Sequence, residues 1–353
     1  MGEAAPNQND TNFWEVQVDN VTGKPNSKPR RITNWAGSSQ SNLRATADGK
    51  HLVFLKQVNH SSVYVGELEE NGTRMKGPRR LTLSEDNNSP AGWTFDSRAI
   101  LFSSDRNGRS EIFKQALDEE SAEPMVTDVK NNLYAPRLSP DGSWVLYIAE
   151  PKVEGGVGTS TPVNLMRLPV MPGGLPQVVL TSRGYAGHRC ARPPATLCVL
   201  GEQNADRKQL AFLAFDPVIG RGREIMRIET DPNAEYSWDV STDGSRLAVQ
   251  RNGESEGHIR ILPIGAGSSR DVKVKKWGHL TSLDWARDGR GFFASSDSRK
   301  GATLLHIDLE GNVHVLWVRE GGVGAWGVPS PDGKNLAVSY NVVDINAWVI
   351  ENF

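Results

Sequence analysis

Four residue patterns in this chain could do chemistry: a G-x-S-x-G, seven histidines, a series of aspartates and two glycine-rich stretches. Gly253-Glu254-Ser255-Glu256-Gly257 matches the nucleophile elbow of α/β-hydrolases, where a strained strand-to-helix turn presents a serine. Here it lies between two strand-like runs, RLAVQR and HIRILPI, so the context predicts a polar hairpin loop with Ser255 in it. The histidines (His51, His60, His188, His258, His279, His306, His314) show neither H-x-H nor H-E-x-x-H spacing. Only a fold that gathers separate segments on one axis would make ligands of them. His188 and His279, each near the start of a repeat, are the first to inspect, against the commoner role of solvated or core histidines. Glycine-rich KVEGGVGTSTP (152–162) and REGGVGAWG (319–327) lack GK[ST], so neither reads as a phosphate cradle. The first reads as a long surface loop and the place to start looking for a recognition surface. No catalytic residue, metal ligand or cofactor-binding residue is expected.

The elements that would position any such residue are short strands in a repeat. A block of strand, Asp-Gly turn, strand recurs at ATADGK (45–50), TFDSRA (94–99), SPDGSW (139–144), STDGSR (241–246), ARDGRG (286–291) and SPDGKN (330–335), with a degenerate copy at ARPPAT (191–196). Successive turn aspartates, Asp48, Asp96, Asp141, Asp243, Asp288 and Asp332, stand 48, 45, 102, 45 and 44 residues apart, and the 102 spans the degenerate copy. That is the period of a four-stranded propeller blade. The aspartate caps its own turn and Gly49, Gly142, Gly244, Gly289 and Gly333 supply the positive φ that a tight hairpin needs. Regular spacing puts these carboxylates on one rim, too far apart for paired acid-base work, so they read as turn formers.

Each turn leads into a buried-type run such as AILFSS or WVLYIA, then an alternating third strand and a short polar fourth one. No segment holds a 3.6-residue apolar period. The fold class expected is all-β, a β-propeller of seven four-stranded blades with N- and C-terminal strands sharing the closing blade. RRITNW (30–35) is expected to complete that blade, which leaves FWEVQVD (13–19) or AWVIENF (347–353) surplus. Trp35, Trp93, Trp238, Trp277, Trp285 and Trp326 read as blade-packing anchors. Residues 1–12 read as a flexible N-terminal segment and 13–353 as a single propeller domain.

With 353 residues, 37% hydrophobic and 23% charged, the chain has material for a core and no signature of disorder. Forty basic against 42 acidic residues leave a net charge of -2, which gives no field for nucleic acid. The basic doublets Arg30-Arg31 and Arg79-Arg80 read as edge-strand charges. The N-terminus lacks the basic and apolar regions of a signal peptide, and no apolar run is long enough to span a membrane. The location expected is cytoplasmic, with the periplasm as the alternative if a longer, anchored protein carries this propeller. Cys190 and Cys198 flank a turn-like segment on adjacent strands; a disulfide and a pair of small buried residues both fit.

LFSSDRNGRSEIFKQALD (101–118) and LSPDGSWVLYIA (138–149) resemble the TolB-like, WD-repeat-like SPDG propeller repeat. Residues 209–225 and 304–353 look like the C-terminal propellers of bacterial sensor proteins. In those proteins a Ser/Thr kinase or winged-helix domain is joined to such a propeller, often through a membrane helix. The resemblance covers Phe13 to Phe353 and implies sensing or interaction with a protein partner or small ligand by a monomeric propeller, with no catalytic residue. This sequence holds no HRD, DFG or phosphate-loop motif, so kinase chemistry does not carry over. The rival expectation is an enzyme with its site on the propeller axis, a lyase or hydrolase, or the regulatory propeller of a peptidase.

Overall fold

A computed structural model describes residues 11–35, 38–152, 161–298 and 301–351. The glycine-rich loop that the sequence favours for recognition falls largely on residues 153–160, outside the described residues. The chain divides into two compact units, Met1–His60 with Val342–Phe353, and Ser61–Asn341.

Ser61–Asn341 contains five four-stranded antiparallel meanders whose first strands are Asn88–Trp93, Asn131–Leu138, Tyr185–Cys190, Tyr236–Val240 and Leu280–Trp285. A sixth sheet starts at Gly322–Pro329 and takes in the strand from Asn335 and the stretch of His51–Glu69 beyond Ser61, with Arg79–Arg80 paired to Tyr64 and Val65. Strands from both ends of the chain therefore share the closing sheet. The amide of Leu68 donates to the carbonyl of Lys334 at 2.8 Å across that closure.

Second strands are the most buried, as apolar runs without alternation require: all of Ala99–Ser104 is buried. Outer strands such as Val313–Arg319 are mostly exposed or half-buried, with Leu316 alone of that strand buried. The core lies between sheets. Ala248, Ile259 and Val272 pack against Leu283, Trp285, Phe292 and Ile307 of the next sheet. At the closure, Val63, Val65, Val328 and Ala337 pack against Trp93, Ile100 and Phe102. Each such side chain contributes about 1.5–3 kcal/mol.

The turn motif works as its sequence suggests. In the turn 330–335, Asp332 Oδ1 accepts from Ser330 Oγ at 2.6 Å and from the amide of Lys334 at 3.0 Å. Ser330 Oγ in turn accepts from the amide of Asn335 at 2.9 Å. Asp48, Asp96, Asp141 and Asp243 repeat this, while Asp288, whose turn begins with Ala286, keeps only the bond from the amide of Arg290. The turn glycines have φ between 69° and 73°, and Ser97 stands in their place at 62°. Cys190 and Cys198, paired across the degenerate turn, are joined by a disulfide.

The all-β propeller with a closing sheet shared by the chain ends is what forms, in seven sheets among the described residues, five of them four-stranded, one two-stranded and the closing one drawing in six strands. The Asp48 hairpin, Ser39–Ala45 with the start of His51–Glu69, falls in the smaller unit, and six sheets are left in Ser61–Asn341. The cause is local. Between second and third strands elsewhere the chain reverses through a positive-φ residue: Gly108, Arg207, Gly253, Gly301. Residues 58–62 and 339–345 contain no glycine, proline or positive-φ residue, so His51–Glu69 and Asn335–Glu351 run on as single strands. The place expected for RRITNW is filled otherwise: Arg30–Arg31 pairs with Trp14–Glu15 in a two-stranded sheet. Of AWVIENF, one of the two runs expected to be surplus, the described residues 347–351 continue the strand from Asn335 instead. In the smaller unit Phe13 and Trp35 pack on Phe54, and Lys56 Nζ lies over the rings of Trp35 and Trp348 at 5.3 and 4.7 Å.

Candidate functional site

The turns between first and second strands of six sheets surround one cavity of about 320 Å³. Each repeat gives it two side chains at fixed distances from the turn. One ring comes from the residue two before the Ser/Thr position of the turn: Gly92, Arg137, Arg189, Asp239, Asp284 and Val328. The other comes from the residue just after that position, where the chain turns over the mouth: Phe95, Pro140, Arg192, Thr242, Arg287 and Pro331. Period-two alternation explains the inner ring, because residues two apart on a strand share a face. Gly92 is required by close approach, since a Cβ there would meet the Pro136 carbonyl oxygen at 2.7 Å.

Charges in the inner ring are segregated. Arg137 and Arg189 come from adjacent sheets, as do Asp239 and Asp284. Arg189 Nε lies 3.5 Å from Asp239 Oδ1, and Arg137 lies 4.0 Å from Asp284 Oδ1. The carboxylates are also held from behind: Asp239 accepts from the amides of Val240 and Trp285 at 2.9 and 2.8 Å, and Asp284 accepts from Trp326 Nε1 at 2.6 Å. Nε of Arg137 and Nε of Arg189 are buried with no hydrogen-bond partner in the protein.

Burial sets the titration here. Desolvation, reinforced by the neighbouring Asp239, pushes the Asp284 carboxyl up to about 6 against the opposing pull of Arg137 and Arg189. Desolvation pulls Arg137 and Arg192 down to about 10, which leaves both charged at neutral pH. His188, fully buried behind the inner ring, is held neutral by burial and by the two nearby arginines. Its Nδ1 shares a 2.9 Å hydrogen bond with the Tyr185 hydroxyl, and burial raises that phenol to about 12.

The outer ring is different in kind. Phe95 is 60% exposed and shares the mouth with three prolines, Pro140, Pro193 and Pro331. Arg192 donates to the carbonyls of Ser330 and Pro329 at 3.2 and 3.3 Å, and Arg287 Nε donates to that of Pro331 at 2.6 Å. Neither forms an ion pair with a carboxylate among the described residues.

The residues singled out from sequence fall mostly outside this site. Asp96, Asp141, Asp243, Asp288 and Asp332 turn their carboxylates into their own turns, and of these only Asp332 borders the cavity. His188 is a core residue, and exposed His279 bonds the Gly253 carbonyl, so the two are not brought together. Ser255 sits in the expected hairpin loop, beside a polar cavity with Glu254, Lys276 and Trp277. No three His, Cys, Asp or Glu cluster as metal ligands among the described residues. Trp93, Trp238 and Trp285 are buried anchors as read, but Trp326 is 38% exposed and carries the bond to Asp284.

No family model matches the sequence, and no curated protein matches it. Solved structures do. A putative TolB from Agrobacterium tumefaciens superposes with a TM-score of 0.59 at 18% identity, covering 80% of this chain and 98% of that one. TolB from Acinetobacter baumannii superposes with a TM-score of 0.53 at 14% identity, over 88% and 82% of the two chains. The fold is that of the TolB-type propellers. At these identities the likeness concerns the fold alone.

Proposed function

We propose that this chain is a non-catalytic binding and sensing module that takes a protein segment or small ligand at the mouth of the axial cavity. One observation carries the reading: the cavity is lined from two positions of the repeat at which the copies differ in charge and size. Most repeats keep the turn aspartate and its Ser or Thr partner, but a repeat has no structural need for Phe95 in one copy, Arg287 in another and Pro331 in a third. Collected at one mouth, these residues make an apolar and cationic surface of the kind that ligand sites present.

The sensor role of a bacterial kinase or transcriptional regulator rests on the sequence resemblance of residues 209–225 and 304–353. No helix among the described residues is long and apolar enough to cross a membrane. The Cys190–Cys198 bond favours an oxidising compartment, and with it the periplasm over the cytoplasm.

Asp284 favours the rival reading. A buried carboxyl pushed up to about 6 beside a second carboxylate is how general acids are prepared, so an axial lyase or hydrolase is the alternative. A glycan and ester panel assayed with the intact chain and with Asp284→Asn and Asp239→Asn separates the two. The binding reading expects no turnover by any of the three. Turnover by the intact chain that disappears in both variants would establish the enzyme.

A further inference from the structure

We infer that the axial mouth binds a carboxylate carried on an apolar body, an inference that rests on the binding reading of this cavity. The inner ring is balanced, with Arg137 and Arg189 facing Asp239 and Asp284. The outer ring is not: Arg192 and Arg287 bring two positive charges, and among the described residues the hydrogen bonds of their guanidinium groups go to backbone carbonyls. The remaining carboxylate on the lining, Asp332, accepts from Ser330 Oγ and from the amide of Lys334. The lining thus carries four arginines against three aspartates, an excess of one positive charge, and among the described residues Nε of Arg137 and Nε of Arg189 are buried without a hydrogen bond, the latter keeping only its 3.5 Å ionic contact with Asp239.

The Nε atoms of Arg137 and Arg189 are stripped of water, which is costly unless an acceptor replaces it, while Arg192 is half-buried and Arg287 exposed at the mouth, and a carboxylate matches the planar fork of arginine. The rest of the lining fixes what the carboxylate is attached to. Phe95, Pro140 and Pro331 present apolar surface at the entrance, and Gly92 and Val328 add no polar group to the inner ring. About 320 Å³ suits one such group: a small aromatic or aliphatic acid, or the terminal carboxylate and last side chain of a polypeptide. Phosphate esters and polyanions fit less well, because Asp239 and Asp284 would face their added charge.

Isothermal titration of the full chain with phenylacetate and with phenylacetamide, equal in shape and different in charge, tests this. A peptide ending in Leu-Phe, as free acid and as amide, supplies the polypeptide arm. The expected result is binding of the acids at least about tenfold tighter than the amides. That preference weakens with added salt, disappears in Arg192→Gln/Arg287→Gln, and is retained in a Ser255→Ala control. Tighter binding of phenylacetate than of the peptide acid indicates a small-molecule ligand, and the reverse order a chain terminus. Acid and amide binding alike, with Phe95→Ala weakening both, would overturn the carboxylate inference while leaving the binding reading intact. No binding of any probe would overturn the inference as well. Turnover in the glycan and ester panel is a separate failure, that of the binding reading itself.

Discussion

The indole Nε1 of Trp326 donates to Oδ2 of Asp284 at 2.6 Å, joining the first strand of the closing sheet to the first strand of its neighbour. Asp284 thereby has a neutral donor on one oxygen and the Arg137 guanidinium 4.0 Å from the other. This bond links the ring closure to the floor of the cavity.

Replacing Trp326 by Phe keeps the ring and removes the donor. Leaving a buried carboxylate short of one hydrogen bond costs about 1–3 kcal/mol, and the Asp284 pKa rises further because the lost bond favoured its ionised form. Urea unfolding of Trp326→Phe should show the loss, and Trp326→Phe/Asp284→Asn should recover part of it.

The two buried titrating groups act on stability in opposite directions. Asp284 has a folded-state pKa above its ordinary value, so its contribution is fully present below about pH 4 and is lost as pH rises through about 6. His188 has a depressed folded-state pKa, so its contribution is present above about 6.5 and is lost as pH falls below that. Melting temperatures from pH 4 to pH 8 should therefore show Asp284→Asn gaining on the native chain toward neutral pH. His188→Gln should gain on it toward acid pH.

Gly92→Ala should destabilise the ring by about 1–3 kcal/mol, because the new methyl meets the Pro136 carbonyl oxygen of the adjacent first strand at 2.7 Å. Gly49→Ala, with nothing within 4 Å but a φ of +69°, separates the cost of strain from the cost of overlap. Chemical denaturation of both variants makes the comparison.

Ser241→Ala removes the hydroxyl that donates to Asp243 and accepts from the amide of Arg246. Asp243 is held down to about 2, first by this serine, so its carbon-detected NMR titration should move upward toward the ordinary carboxylate value. Stability should fall by about 1 kcal/mol above pH 4, where the native turn benefits from the ionised carboxylate.

The strands and turns were legible in the sequence because they rest on what the repeats have in common. Asp recurs in six of the seven turns and Gly in five, and a strand between sheets needs an unbroken apolar run. The closing sheet was legible in outline, from strand-like runs left over at both ends. The run-on strands were not, since they depend on what residues 58–62 and 339–345 lack. The cavity was missed for the opposite reason: it is built from positions where the repeats differ. Arg137, Arg189, Asp239 and Asp284 stand four residues before the turn aspartate or its equivalent, and Phe95, Arg192 and Arg287 one before it. Aligned on the turn, those two columns carry unlike, charged or bulky residues that neither turn nor strand requires. That signal is present in the sequence, but it becomes a site only when ring closure brings six segments together.

A crystal of the intact chain soaked in 4-bromophenylacetate and measured at the bromine absorption edge tests the central claim most directly. The account predicts an anomalous peak at the axial mouth among Phe95, Pro140 and Pro331, with the carboxylate density between Arg192 and Arg287. A peak only in the polar cavity beside Glu254, Lys276 and Trp277, or no peak at all, would contradict it.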